Sequence, residues 1–199
     1  MITVVDYKLN NLRSIENTLR RLGHDVQVTS DPAVVQRADK LILPGVGAFR
    51  DAIQNLRELQ LIDPFIDRVT SGVPTLGICL GMHLLFSQSE EFGIHTGLNV
   101  IPGRVRRLPD SVIVPHMGWN ELKPLKDDPL LKGIEPGSFV YFVHSFFAEP
   151  KSRSVTLATT DHGLEFAAIV HHDNVWATQF HPEKSQKVGE RLLDNFGRI

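Results

Sequence analysis

The first eighty residues alternate between short β-branched runs and amphipathic stretches, and this alternation restricts the fold more than any other feature of the chain. Ile2 to Val5 predicts a strand, and the apolar residues after it recur at helical spacing as far as Gly23, a residue type that commonly ends helices. Further strands are predicted at 26–28, 41–43 and 75–78, with helical segments between them. Successive βα units with short loops indicate a parallel sheet covered by helices on both faces.

The second half of the chain has a different pattern. From Val100 to Val175, short apolar runs are separated by prolines and turn residues, which predicts an antiparallel or mixed extension of the sheet. A final helix is predicted from Ser185 to Gly197. The chain has 199 residues and no internal repeat or flexible linker, so we expect one domain spanning 1–199. The predicted fold class is therefore α/β, with a mostly parallel central sheet and a mixed C-terminal extension.

Composition argues against several kinds of partner and location. The 21 basic and 23 acidic residues nearly balance, so no basic field favours nucleic acid or an anionic membrane. No apolar run approaches the roughly 18 residues of a membrane helix, and the first residues do not resemble a signal peptide. A single free cysteine suits a reducing cytoplasm. The adjacent His171 and His172 point to opposite faces of a predicted strand, which argues against a metal site formed by the two. We expect no metal, and we expect no other cofactor.

The one cysteine, Cys79, lies between Gly77 and Gly81 where a predicted strand meets a predicted helix. This layout is typical of a nucleophile elbow, a sharp turn that presents one reactive side chain. The flanking glycines remove Cβ atoms that would clash in so tight a turn. The nearby helix N-terminus favours the nucleophilic thiolate over the thiol. A buried, unreactive cysteine is the alternative interpretation.

A second segment, Phe180 to Ser185, follows a predicted strand about a hundred residues later. A thiol with a free pKa of about 8.5 reacts well at neutral pH only beside a base or a cation. His181 fits the role of that base, and Glu183 fits the group that orients the imidazole. Alone, the segment also fits a polar turn; together with the elbow, it predicts a triad of Cys79, His181 and Glu183.

The turn Pro44-Gly45-Val46-Gly47 follows the predicted strand at 41–43 and supplies candidates for an oxyanion hole. Its glycines allow backbone N–H groups to approach a substrate closely. One N–H from this turn, at Val46 or Gly47, together with that of Leu80, would stabilise a developing oxyanion. An ordinary βα turn is the alternative. A phosphate-binding loop is less well supported, because no Gly-Lys-Ser/Thr follows.

In this order and spacing, three motifs resemble those of the class I glutamine amidotransferases: Pro44–Gly47, Gly77–Met82 and Gln179–Glu183. Three further segments resemble the glutaminase subunits of imidazole glycerol phosphate synthase: Asp6–Ser14, Pro115–Asn120 and Tyr141–Phe146. The resemblance covers essentially the whole chain. It implies hydrolysis of glutamine and a heterodimer with a (β/α)8-barrel cyclase subunit that takes the ammonia through an internal channel. The implied joint products, in histidine biosynthesis, are imidazole glycerol phosphate and an aminoimidazole carboxamide ribotide.

The resemblance also implies which residues contact the substrate and the partner. For glutamine, the resemblance implies contacts at Gly45, at His83 and, for the α-ammonium, at Glu91. Backbone groups of Val143, His144 and Ser145 are candidates for holding the carboxylate, and a structural histidine is the alternative interpretation of His144. The contacts implied for the partner are Asn11, Trp119 and Asn120. On charge alone, the segment Gln88–Glu91 predicts a solvated loop.

Two positions depart from the family pattern. His83 stands where the family usually has glutamine, and Lys8–Asn11 replaces a segment that is usually rich in glycine. The first bears on affinity for glutamine and the second on the identity of the partner. Three alternatives follow: a paralogous glutaminase subunit that feeds another amination pathway, such as surface-sugar synthesis, a different cysteine-elbow hydrolase, and a non-catalytic subunit of the same fold.

Overall fold

A computed structural model describes residues 1–8 and 11–199 of the chain. Leu9 and Asn10, which belong to the unusual opening segment, lie outside the described residues. The helices are α1 (Leu12–Arg21), α2 (Pro32–Val35), α3 (Phe49–Glu58), α4 (Ile62–Thr70), α5 (Leu80–Leu85) and α6 (Gln186–Arg198). The strands are β1 (Ile2–Val5), β2 (Val26–Thr29), β3 (Leu41–Leu43), β4 (Thr75–Ile78), β5 (Phe86–Ser89), β6 (His95–Thr96), β7 (Ile101–Arg107), β8 (His116–Glu121), β9 (Lys123–Pro124), β10 (Phe139–His144), β11 (Phe146–Pro150), β12 (Thr156–Asp161), β13 (Glu165–His172) and β14 (Val175–Thr178).

The central sheet has eight strands within the described residues, in the order β2-β1-β3-β4-β14-β13-β12-β9. The five strands from β2 to β14 pair in parallel. The remaining strands, β13, β12 and β9, extend the sheet with antiparallel pairing. The predicted fold class is confirmed. Because β14 lies beside β4, the last strand of the chain adjoins the strand that leads into Cys79.

Helices cover both faces of this sheet because successive strand residues point in opposite directions. Val4 and Ile42 lie in one apolar cluster with residues of α1 and α6, including Leu19 and Phe196. The apolar residues that adjoin Val4 and Ile42 along β1 and β3 belong to a second cluster on the other face, formed with the apolar sides of α3, α4 and α5. In the described ranges, no helix is long and apolar enough to cross a membrane.

Two smaller sheets lie beyond the central one. β8 and β10 form an antiparallel pair, and β11, β7, β5 and β6 form a four-stranded sheet. The expectation of a solvated loop at Gln88–Glu91 is wrong for its first half, since Gln88 and Ser89 belong to β5 and Ser89 is fully buried. The cause is pairing of β5 with β7, a contact that local charge does not reveal.

Candidate active site

Adjacent parallel strands bring the two distant motifs together. Ile78 and Thr178 are partners in the register of β4 and β14, and the backbone N–H of Cys79 extends that pairing by donating to the Thr178 carbonyl at 2.7 Å. Cys79 follows β4 directly, and His181 lies just beyond the end of β14. Both side chains therefore leave the same edge of the sheet, where ligands bind in folds of this kind.

The backbone at Cys79 has the strained geometry of an elbow. Its φ of 53° and ψ of −106° are rare for a residue with a side chain, and strain of this kind is typical of functional sites. A Cβ atom at Gly81 would collide with the Leu43 carbonyl oxygen, and one at Gly77 would lie 2.7 Å from Cδ1 of Leu85. Both glycines are therefore required by the close packing of α5 against the strands.

His181 and Glu183 form a buried pair. Nδ1 of His181 lies 2.8 Å from Oε1 of Glu183, and the side chains are 1% and 0% exposed. A carboxylate only accepts hydrogen bonds, so Nδ1 donates and the tautomer is fixed. The same carboxylate oxygen accepts a hydrogen bond from Nδ2 of Asn11 at 2.5 Å. The backbone of His181 is held by the Tyr141 carbonyl at 3.0 Å and by Ser185 Oγ at 2.7 Å.

The electrostatics of His181 favour its charged form. Burial lowers the pKa of the imidazole, but the Cys79 and Glu183 side chains outweigh this and raise it to about 10. Nε2 of His181 is buried and has no hydrogen-bond partner among the described residues. Cys79 and His181 line the same cavity, and catalytic hydrogen bonds often form only once a substrate binds.

The raised pKa of His181 makes folding stability depend on pH in an alkaline window. Because the folded pKa of about 10 exceeds the unfolded value of about 6.5, the stabilisation is complete below the lower value and is lost as pH rises through the higher one. We expect the free energy of unfolding, measured by urea titration between about pH 6 and pH 10, to fall with pH. In Glu183→Gln, whose neutral amide holds the imidazolium less firmly, the fall should be smaller. If the free energy of unfolding falls equally steeply with pH in the native protein and in Glu183→Gln, the pH dependence does not come from the His181–Glu183 pair.

A cavity of about 450 Å³ opens above Cys79 and His181. Most of the residues predicted to hold the substrate or the oxyanion line it. Its walls are Val46, Gly47, Cys79, Leu80, His83, Glu91, Phe92, Val143, His144, Ser145, Phe146 and His181. Gly45 lies behind the wall, packed against the Tyr7 hydroxyl and Leu80, and Glu183 lies behind His181. Sequence reasoning missed Phe92 and Phe146, since neither residue type signals a polar ligand.

The turn predicted to form the oxyanion hole is anchored at its start. The buried Tyr7 hydroxyl donates a hydrogen bond to the Pro44 carbonyl. Burial raises the pKa of Tyr7 strongly, so the hydroxyl keeps its proton and remains a donor. Gly47, in contrast, is exposed with a φ of 108°, and no described atom lies within 4 Å of a Cβ built on it. The turn is therefore fixed at Pro44 and loosely packed at Gly47.

His83 is a neutral residue of the cavity wall. Its Nε2 lies 2.8 Å from Oε1 of Gln179, and both side chains are buried. Burial lowers the pKa of His83 to about 4, against a smaller opposing effect of the Gln179 hydrogen bond. At neutral pH this residue therefore offers hydrogen bonding to a ligand but no charge.

His144 is also neutral, because burial lowers its pKa well below the ordinary value. Its Nδ1 donates to the Phe146 carbonyl at 2.8 Å, so its Nε2 accepts from Nδ1 of His116 at 2.9 Å. Both ring nitrogens of His144 are thus occupied. This leaves backbone groups and the Ser145 hydroxyl as the polar groups that the segment Val143–Ser145 offers to the cavity.

The residues predicted to contact a partner occupy different environments. Trp119 is 45% exposed and lies edge-on to Tyr141, with ring centroids 5.9 Å apart, on the outer face of the β8–β10 pair. Asn120 points to the other face and donates to the Asp161 carbonyl at 2.7 Å. Asn11 contacts Glu183 as described above.

Comparison with known proteins identifies the family. A family model described as glutamine amidotransferase class-I matches residues 3–198. A solved structure described as a glutamine amidotransferase has the same fold, with a TM-score of 0.78 over 100% of both chains at 20% sequence identity. The chain belongs to the class I glutamine amidotransferase family.

Curated relatives narrow the position within that class. The chain is 52% identical to the imidazole glycerol phosphate synthase subunit HisH of Syntrophotalea carbinolica, over 99% of both chains. It is 50% identical to the same subunit of Methanothermobacter thermautotrophicus, over 100% of this chain and 98% of the relative. Within its class, the chain is a member of the HisH family. The predicted resemblance is confirmed, and the family favours a glutamine amidotransferase over a different cysteine-elbow hydrolase.

Proposed function

We propose that this chain is the glutaminase subunit of an imidazole glycerol phosphate synthase and supplies ammonia to a cyclase subunit in histidine biosynthesis. The observation that carries the proposal is the buried His181–Glu183 pair, 2.8 Å apart, on the same cavity as the single cysteine of the chain. The identity of 52% with a full-length HisH relative supports the particular pathway over a paralogous amination route.

The proposed chemistry begins with attack by the Cys79 sulfur on the side-chain amide carbon of glutamine. Backbone N–H groups of Leu80 and of the Val46–Gly47 peptide stabilise the oxyanion. Nε2 of His181 takes the proton of the Cys79 thiol as the sulfur attacks and then gives it to the amide nitrogen. The C–N bond breaks, ammonia leaves, and a γ-glutamyl thioester forms. Water then attacks the thioester while the imidazole accepts its proton. The C–S bond breaks, the imidazolium returns a proton to the Cys79 sulfur, and glutamate leaves. Glu183 holds the imidazole in one tautomer throughout.

Substrate selection follows from the charges at the cavity wall. We propose that the Glu91 carboxylate receives the α-ammonium of glutamine and that backbone groups of Val143–Ser145 receive the α-carboxylate. Neutral His83 adds a hydrogen bond near the same end of the substrate. Gly45 supports the wall from behind, since a side chain there would meet Tyr7.

The proposed partner is a cyclase subunit with a (β/α)8-barrel fold, in a cytoplasmic heterodimer. Trp119 supports this docking surface, because large exposed aromatic residues are enriched at the centres of interfaces. We also assign Asn11 and Asn120 to the proposed interface, and Asn120 directly follows Trp119 on β8. Co-purification of the two chains, with loss of association in Trp119→Ala, would test the surface.

The proposed function is tested by incubating the chain and its partner with a glutamine-derived diazo-ketone and locating the label. Labelling confined to Cys79, with loss of glutamine hydrolysis in proportion, is the expected result. Hydrolysis that persists after complete labelling of Cys79 would overturn the proposed chemistry.

Replacing Val46 by proline removes one backbone N–H from the oxyanion turn. We expect glutamine turnover in the partner complex to fall about 10²–10³-fold, which is the usual loss for one oxyanion donor. Val46→Ala, which keeps the N–H, is the matched control and should retain turnover within a few-fold. Steady-state assays of glutamate release measure both variants. Equal turnover in the proline and alanine variants would count against a donor at this position.

A further inference from the structure

Glu91 touches a second part of the site besides the cavity. Its Oε2 accepts a hydrogen bond from the backbone N–H of Phe49 at 2.8 Å. Phe49 is the first residue of α3 and follows the Pro44–Gly47 turn with only Ala48 between them. Ala48 has no side chain able to cap the helix, so the Glu91 carboxylate takes the place of the missing cap.

Glu91 lines the cavity, and its other carboxylate oxygen is not used by the protein framework in the part of the chain that the structure describes. Oε1 of Glu91 makes no hydrogen bond to the described residues, and it is not among their buried unpartnered atoms. Burial raises the pKa of Glu91, while the Phe49 N–H opposes this by stabilising the anion. One oxygen therefore belongs to the protein framework and the other is open to a ligand.

The oxyanion turn is consequently held at both ends. The Tyr7 hydroxyl holds its start at the Pro44 carbonyl, and Glu91 holds its end at the Phe49 N–H. Between these contacts, Gly47 is exposed and loosely packed. Fixing both ends of a turn with a loosely packed centre helps to keep its N–H groups directed at a substrate, as an oxyanion hole requires.

We propose that Glu91 is a positioning residue for the oxyanion turn in addition to being the ligand of the substrate α-ammonium. The proposal rests on the proposed glutaminase function and deepens it. Binding of the α-ammonium at Oε1 fixes the position of the Glu91 carboxylate. Because Oε2 accepts from the Phe49 N–H, the start of α3 is then held in place as well. Recognition of one end of glutamine is thereby coupled to stabilisation of charge at the other end.

Two substitutions in the intact partner complex separate the two roles. Glu91→Gln loses the charge but keeps an oxygen that accepts from Phe49, so KM for glutamine should rise about 10–100-fold while kcat stays within about threefold. Glu91→Ala loses both contacts, so the same rise in KM should be joined by a fall in kcat of about tenfold or more. Amide hydrogen exchange at residues 46–50 should accelerate in the alanine variant and not in the glutamine variant.

Glu90→Ala is the matched control, because the Glu90 carboxylate forms ion pairs with Arg104 and Arg106 and Glu90 does not line the cavity. It should leave kcat, KM and exchange unchanged. If Glu91→Ala fails to fold, Glu91→Met, which has similar length and no acceptor, repeats the comparison. Equal kcat values in the glutamine variant and in the variant without an acceptor would overturn the positioning role. Absence of glutamine hydrolysis in the native complex would instead contradict the proposed function.

Discussion

Replacing Cys79 by alanine is expected to lower glutamine hydrolysis by the partner complex about 10⁴-fold or more, a loss of the size seen when a covalent nucleophile is removed. The sequence contains no other cysteine that could take over the attack. Glutamate release, measured by a coupled assay, gives the size of the effect.

The same variant separates loss of ammonia supply from any effect on the partner's own activity. If the chain serves its partner only by supplying ammonia, added ammonium salt should restore synthase product formation by the Cys79→Ala complex to the native level. Failure of ammonia to restore the product would show that the substitution disturbs the partner's own activity as well as the supply of ammonia. Retained hydrolysis of glutamine would contradict a thioester at this residue.

Replacing His181 by asparagine is expected to reduce glutamine turnover about 10³–10⁴-fold, because one imidazole serves as acid for the leaving ammonia and as base for the attacking water. Labelling of Cys79 by the diazo-ketone should slow as well, since the cation that supports the thiolate is lost. The rates of hydrolysis and of labelling measure the two consequences separately.

His24 offers a matched control for that substitution. It is also bonded to a carboxylate, with Nε2 2.9 Å from Oδ1 of Asp194, but it does not line the cavity. His24→Asn should therefore keep native turnover while losing a comparable polar pair. A similar loss of turnover in both variants would point to damaged stability and would contradict a chemical role for His181.

Much of the fold follows from local signals in the sequence. The predicted strands Ile2–Val5, Leu41–Leu43 and Thr75–Ile78 have the same bounds in the structure, because each is a short apolar run bounded by turn residues. The sequence also indicates that α5 packs closely against the strands, because Gly77 and Gly81 lie on either side of Cys79. In the structure, neighbouring atoms leave no room for a side chain at either glycine.

Local sequence patterns do not predict the contacts between segments that are distant in the chain. Nothing local indicates that Asn11 bonds to Glu183, or that Glu91 caps α3 through Phe49. Each contact depends on how strands far apart in the chain pair, and residue type alone does not determine that. The helix after Cys79 ends at Leu85 for the same reason, since the next apolar residue, Phe86, pairs with Ile101 of β7.

The adjacency of β4 and β14 has a consequence for synthesis of the chain. While the ribosome is still adding the last strand, the elbow with Cys79 has already emerged without its base, and the sulfur lacks the neighbour that makes it reactive. The thiol therefore gains its activating imidazole only after β14 has been synthesised and has paired with β4, so strand order sets the moment at which the reactive pair is assembled.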